Sequence, residues 1–370
     1  MLKKLTVDNF RCLEEFEIEF GGLSLLLGVN GAGKSTVFEV IQRLCDFVVG
    51  HKEVDEVFPR STITRWQKSA NQIFDLLIDG PGGVYDYTLV IAHHPERGTA
   101  QVFHESLTFN EHPICVFENG KLRLPGPSGS SAKKNDFPFD RSLSVVGRLS
   151  PRGRRDRLSW FKQFMSRLIV VGPFSHGIGS IAHAEDAVLD ADGGNFPNWY
   201  RHISQERQDL ILEVFDKLRP VIGGFRSLTL PEGGSDQRLL RVKIARDDKQ
   251  KKVIDYSFED LSDGERILII LYTLLFANRG LGYALLIDEP DNFLALSEIQ
   301  PWLMELQDLC DDGEIQALLI SHHPEVIDYL GPENGIWLKR KPNCPTEVAA
   351  GPDAADESLS LSEVVARGWE

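Results

Sequence analysis

The chain has 370 residues, 42% of them apolar and 26% charged, enough to bury a large core in one or two domains. Its net charge of −15, from 40 basic and 55 acidic residues, speaks against whole-molecule attraction to nucleic acid or an anionic membrane. No apolar run is long enough to span a bilayer, and Met1-Leu2-Lys3-Lys4-Leu5 lacks a signal-peptide core. Five scattered cysteines (Cys12, Cys45, Cys115, Cys310, Cys344) form no C-x-x-C pair, which points to a reducing, cytoplasmic setting without disulfides or zinc.

Leu2 to Phe20 alternates as two strands, with Leu5, Val7 and Phe10 in the first and Phe16, Ile18 and Phe20 in the second. After Gly21-Gly22 the apolar run Leu23–Leu27 leads into Gly28-Val29-Asn30-Gly31-Ala32-Gly33-Lys34-Ser35-Thr36. A helical pattern follows, with Val37, Phe38, Val40, Ile41 and Leu44 on one face, and Gly50 ends it after about Val49. This is G-x4-G-K-[ST] in strand–loop–helix context, a phosphate-binding P-loop. Glycines let the backbone curl so that the N–H groups from Asn30, Gly31, Ala32 and Gly33 to Thr36 make an anion nest at a helix N-terminus. Lys34 is spaced to reach the β- and γ-phosphates and Ser35 to offer its hydroxyl to Mg2+. The sequence therefore predicts a nucleoside triphosphate as ligand.

From Phe74 to Leu124 the pattern changes to antiparallel β, with strands expected at Phe74–Ile78, Val84–Ile91, Gln101–Phe109 and Ile114–Leu124. Pro125 to Asn135 reads as a flexible loop. Arg141 to Arg167 is a basic block containing Arg148, Arg152, Arg154, Arg155, Arg157 and Lys162, with Leu158, Phe161, Met165 and Leu168 at helical spacing. Two readings stay open for it, a solvated helix face or a nucleic-acid contact. One helix is expected from Pro197 to Leu218, then strands at Ser227–Leu230 and Leu239–Ile244. The tail after Leu338 ends in Leu359–Trp369, with Val364, Val365 and Trp369 as anchors for packing on the head or docking on a partner.

Three later stretches define the rest of the candidate site. Leu261-Ser262-Asp263-Gly264-Glu265-Arg266 precedes an apolar helix, and Ser262 with Glu265 forms an S-x-x-E capping box at its start. Tyr283 to Ile287 is a buried-strand run ending in Asp288-Glu289-Pro290. With a P-loop present, Asp288 is placed to hold Mg2+ and Glu289 to orient or deprotonate the attacking water. Ala317–Ile320 is another buried strand, with Ser321-His322-His323 at its tip. His322 is the candidate γ-phosphate sensor and His323 the alternative by register.

Together these residues resemble the ATP-binding-cassette (ABC) ATPases, whose signature motif is similar to Leu261-Ser262-Asp263-Gly264-Glu265. Within that superfamily they look like the soluble branch of RecF, the structural-maintenance-of-chromosomes (SMC) heads and the overcoming-lysogenisation-defect (OLD) ATPases. The opening Leu2–Leu5 and Asn9-Phe10-Arg11 are like the first strands of that branch, which puts Arg11 among the nucleotide-contacting candidates. The resemblance implies a P-loop NTPase fold of ABC type, an α/β core with an antiparallel β lobe and a helical insertion. It also implies a homodimer in which Ser262 and Gly264 of one subunit meet the γ-phosphate bound by Gly33, Lys34 and Ser35 of the other, with Asp291 at the seam. The Q-loop glutamine is not identified; Gln72 and Gln163 are weak matches. No TOPRIM nuclease segment and no coiled-coil heptads are visible.

The expected domains are an ATPase core from 1–60 and 255–340 with a β lobe at 61–135, a helical insertion at 136–254 and a tail at 341–370. The expected function is Mg2+-dependent ATP hydrolysis that switches an ATP-bound dimer, or a higher oligomer, for a separate effector. By family analogy the effector is a nuclease or toxin in phage defence or DNA maintenance. The rivals are a RecF-like repair ATPase that binds DNA and a scaffold holding ATP with little turnover. No membrane partner is expected.

Overall fold

The computed structural model describes residues 1–94, 98–125, 137–151, 153, 156–234, 236–246, 252–351 and 360–367. The chain divides into two compact units, Met1–Leu168 with Leu330–Glu370, and Ile169–Tyr329. Among the described residues no helix is long and apolar enough to cross a membrane.

Among its described residues the first unit holds an antiparallel sheet of eight strands. In spatial order they are Phe16–Glu19, Leu2–Asp8, Asn71–Gly80, Gly83–His94, Thr99–Phe109, His112–Glu118, Lys121–Arg123 and Phe137–Pro138. Alternation drives it: in Asn71–Gly80, Gln72, Phe74, Leu76 and Ile78 are buried while their neighbours face outward or lie half-covered. The expected strand Ile114–Leu124 is in fact two strands. Asn119 (φ 51°) and Gly120 (φ 83°) are both left-handed, so they turn the chain into a tight hairpin. The same unit contains the strand Leu23–Leu27, buried along its whole length. Its neighbour Gly335–Arg340 runs parallel to it and pairs antiparallel with Thr346–Ala349. The stretch after Lys339, read from sequence only as a tail, thus supplies a paired strand.

One buried carboxylate organises the lobe. Glu105 lies fully enclosed and accepts hydrogen bonds from Tyr87 Oη (3.0 Å), Ser144 Oγ (2.6 Å) and the Val145 N–H (2.5 Å). It thereby anchors the short helix Val145–Arg148, which Ser144 caps. Burial, which outweighs those hydrogen bonds, pushes its carboxyl up to about 7. The folded state therefore holds this proton more tightly than the unfolded chain. The contribution is fully present below about pH 4.5 and is lost as pH rises through about 7. Thermal midpoints of wild type and Glu105→Gln between pH 5 and 8 are the check. Wild type should lose stability over that range, by up to about 3 kcal/mol from this group, and the variant should lack that component of the slope. An identical slope in both proteins would remove Glu105 from the account.

In the second unit, Ala284–Asp288 runs parallel to Gln316–Ile320, with Asp288 opposite Ile320, and Leu168–Val171 lies on its other side. Leu168 was expected on the preceding helix. Instead that helix, Arg157–Met165, closes in a tight turn at Ser166 and Arg167, and Leu168–Val171, with β-branched Ile169, Val170 and Val171, becomes a strand. The expected single helix from Pro197 to Leu218 is two, Phe196–Glu206 and Gln208–Leu218, because Arg207 leaves helical geometry (φ −133°, ψ 49°). The helix Asp263–Ala277 is buried continuously from Arg266 to Ala277, which its unbroken apolar run requires.

Candidate nucleotide site

In the first unit the loop between Leu27 and Lys34 is shaped by three left-handed glycines, Gly28 (φ 143°), Gly31 (φ 83°) and Gly33 (φ 108°). They are required for different reasons. A Cβ on Gly28 would lie 2.3 Å from the Leu338 carbonyl oxygen, and one on Gly33 would lie 2.6 Å from Thr346 Oγ1. At Gly31 no atom lies within 4 Å of that position, so its side of the loop is open. Gly33 serves as N-cap of the 15-residue helix Lys34–Val48, so the helix dipole and its first N–H groups face the loop. Lys34 is buried, with Nζ donating to Gly28 O (2.7 Å) and Val29 O (3.3 Å). Asn30, Gly31 and Ser35 are exposed, Ala32 and Gly33 are buried, and Thr36 is intermediate. The cradle fits a polyphosphate: an open face, a helix N-terminus and a lysine folded along it.

The rim of this loop comes from distant sequence. Thr346 Oγ1 donates to Ala32 O (2.8 Å), and the Thr346 N–H donates to Cys12 O (2.9 Å). Arg340 Nη1 donates to Gly31 O (3.2 Å). Arg11 adopts φ 50° and pairs with Glu39 Oε1 (2.6 Å) on the P-loop helix, which also holds Arg43. Arg11 thus stands beside the P-loop helix. Gln72 is enclosed, donating to Asn9 O and Thr62 Oγ1 and meeting His93 Nε2 through Oε1. All of its polar capacity is spent inside the fold, so it is a structural residue.

In the second unit the acidic strand end is held tightly. Glu289 follows Asp288 in left-handed geometry (φ 54°), its N–H donates to Ile320 O (2.8 Å), and its Oε2 accepts from Asn292 Nδ2 (2.6 Å). Gly172 (φ 98°) lets the neighbouring segment approach, since a Cβ there would lie 2.0 Å from Asp288 O. Asp291 is buried, which raises its carboxyl against a hydrogen bond from Ser321, and its Oδ1 has no hydrogen-bond partner among the described residues. At the next strand tip His322 is exposed, whereas His323 Nδ1 accepts from the Glu325 N–H (3.3 Å) at the start of helix Pro324–Asn334.

The signature stretch forms the predicted cap. Ser262 Oγ accepts from the Glu265 N–H (3.3 Å), and Glu265 Oε2 accepts from the Ser262 N–H (3.0 Å). Ser262 itself is exposed. Gly264 is seated on the loop after Asp291, where a Cβ would lie 2.8 Å from Phe293 O. His176, which sequence reasoning passed over, sits at the same helix start, with Nδ1 3.3 Å from Asp263 Oδ2 and its ring 4.5 Å from that of Phe293. No local pattern marks it, because Leu261–Arg266 lie far along the chain.

P-loop, acidic strand end and capped LSDGE helix define a P-loop ATPase of ABC type. Residues 1–106 match a family described as AAA ATPase domain. Residues 138–328, more than half of the chain, match the AAA domain family described as putative AbiEii toxin, Type IV TA system, and the chain belongs to that family. Its OLD-like character is carried by the OLD nuclease of Thermus scotoductus (strain ATCC 700910 / SA-01), 48% identical over 50 residues. Those residues are 14% of this chain and 9% of that protein, so the chain matches about a tenth of the relative's length. The crystal structure of an SmcHead bound to the C-winged helix domain of ScpA has the same fold over 99% of both chains, at TM-score 0.51 and 14% identity. The SMC head domain from Thermotoga maritima covers 94% of this chain and 98% of its own at 13% identity, with TM-score 0.45. The protein is an SMC/OLD-like ABC-type ATPase domain.

Proposed function

We propose that this chain is a Mg2+-dependent ATPase that dimerises on ATP and acts as a conformational switch for a separate effector. Asn30, Gly31, Ala32, Gly33, Lys34, Ser35 and Thr36 bind the phosphates, with Arg11 beside them. Ser35 and Asp288 supply hard oxygen ligands for Mg2+. Glu289 positions and deprotonates the attacking water, and His322 senses the γ-phosphate. Ser262 and Gly264 complete the site of a second subunit. The domain division expected from sequence stays with this proposal.

The carrying observation is the signature helix start. Ser262 is exposed at the N-terminus of a 15-residue helix that is buried from its second turn on, so an anion-binding helix end faces outward. A nuclease or toxin as effector follows from the names of the relatives and is analogy. Direct DNA binding has less behind it. Arg152, Arg154 and Arg155 lie outside the described residues. Elsewhere in the basic block, Lys162 and Arg148 donate to backbone carbonyls, and the Arg157 guanidinium lies 4.0 Å from the Phe109 ring centroid.

The test is the light-scattering mass of Glu289→Gln with and without Mg-ATP. Mass should double with Mg-ATP, and Ser262→Arg added to the same protein should abolish the doubling. A monomer under both conditions, with ATP bound, would overturn the homodimer switch.

A further inference from the structure

We propose that His176 is a positioning residue for the signature helix: it holds the Asp263 carboxylate aside, so that the helix start stays open to the phosphate of a second subunit. This rests on reading Ser262 and Gly264 as the contact to that phosphate, and it names what keeps the contact available.

The signature stretch carries a charge that works against such a contact. Asp263 is the first residue of the helix Asp263–Ala277. A carboxylate in the first turn is drawn to the free N–H groups and the positive end of the dipole. Those are the groups that an incoming phosphate needs. A loose carboxylate there competes for the N–H groups and repels the phosphate. The other acid of that turn, Glu265, is spent in the capping box with Ser262.

Asp263 is instead tied through both oxygens. Oδ1 accepts from Arg266 Nη2 (2.6 Å), one turn along the same helix. Oδ2 lies 3.3 Å from His176 Nδ1, and since an ionised carboxylate only accepts, the imidazole donates. That hydrogen bond is the largest influence holding the Asp263 carboxyl below the usual carboxylate range, and the Gly177 N–H and the Arg266 charge act in the same direction. Arg266 belongs to the helix it serves, whereas His176 comes from a separate segment and so fixes the direction of the carboxylate.

The His176 side chain is 73% exposed, yet the backbone on either side of it is anchored. The Ser175 N–H donates to Asp192 O (2.9 Å) and its Oγ to Asp192 Oδ2 (2.6 Å). Ile178 is buried, and its carbonyl accepts from Arg266 Nη1 (3.2 Å). The imidazole also stands edge-on to Phe293, whose carbonyl is the atom against which Gly264 is seated. Segment 175–178, the helix start and the loop after Asp291 therefore form one surface, with Ser262 exposed on it.

The experiment measures the dimer of the Glu289→Gln protein by light scattering over a dilution series in Mg-ATP. Adding His176→Ala should raise the dimer dissociation constant roughly tenfold, as expected for a lost hydrogen bond to a charged group. His176→Asn keeps a donor near the Nδ1 position but loses the ring, and should stay within about threefold of the parent. Adding Asp263→Asn to His176→Ala should bring the constant back to within about threefold of the parent, because the amide still accepts from Arg266 and carries no charge. Unchanged dimerisation in His176→Ala would overturn the proposal. So would a loss that persists in the double variant, or one that His176→Asn shares in full, since packing on Phe293 would then be what matters. If the Glu289→Gln protein binds ATP yet stays monomeric with His176 intact, the homodimer reading falls and this role falls with it.

Discussion

Replacing Glu289 by Gln should lower steady-state phosphate release roughly a thousandfold while ATP affinity stays within about threefold of wild type. The asymmetry follows from where the residue sits. Glu289 is the first residue past a buried strand, locked in left-handed geometry by its N–H bond to Ile320 O. Its carboxylate already accepts one hydrogen bond from Asn292 Nδ2, which fixes the side chain with the second oxygen left to act on water. Glutamine keeps the shape, and its amide oxygen still accepts from Asn292. It has no basic lone pair matched to a water proton, so only the chemical step suffers. Phosphate release measured at saturating ATP, alongside nucleotide affinity by calorimetry, separates the two effects. Turnover within fivefold of wild type would show that Glu289 only closes the turn, and would favour a different residue as base. Loss of affinity together with turnover would instead place Glu289 in nucleotide binding.

The parts of the site legible in sequence are those whose chemistry is local. Gly28–Thr36, Ala284–Glu289 and Leu261–Arg266 each carry strand, loop or cap information within a dozen residues, and each takes the expected local form. The hairpin at Asn119-Gly120 was equally legible and was passed over, since that dipeptide is itself the turn signal. The rim was not legible. Cys12, Arg340 and Thr346 come together at the P-loop where Gly335–Arg340 pairs with Leu25–Leu27 and then folds back as Thr346–Ala349. A parallel pairing across about 300 residues of chain leaves no periodic trace. The helix errors have a related origin. Leu168 continues the helical spacing of Leu158, Phe161 and Met165, yet its place is decided by the strand Ala284–Asp288 beside it. Tertiary pairing overrides local periodicity there.

Gly28→Ala should destabilise the protein by about 3–5 kcal/mol and abolish measurable ATP binding, whereas Gly31→Ala should cost only about 1–2 kcal/mol. Both glycines sit at positive φ, so both substitutions carry the left-handed penalty of an L-residue. They differ in what the new methyl meets. At Gly28 it falls 2.3 Å from Leu338 O, the backbone of a strand paired in register with Leu25–Leu27, and backbone in a ladder cannot step aside as a side chain would. Relief requires prising Leu338 off the loop, and that also displaces the Gly28 carbonyl that accepts from Lys34 Nζ. The lysine and the phosphate nest then lose their alignment together. At Gly31 the methyl points into open space, so only the dihedral penalty remains. Thermal midpoints for the two variants, read beside ATP affinity, test this ordering. Equal losses would mean that dihedral strain alone sets the cost, and that the contact with Leu338 adjusts without penalty. A larger loss at Gly28 with ATP affinity intact would separate strand packing from the phosphate nest, against the coupling through Lys34.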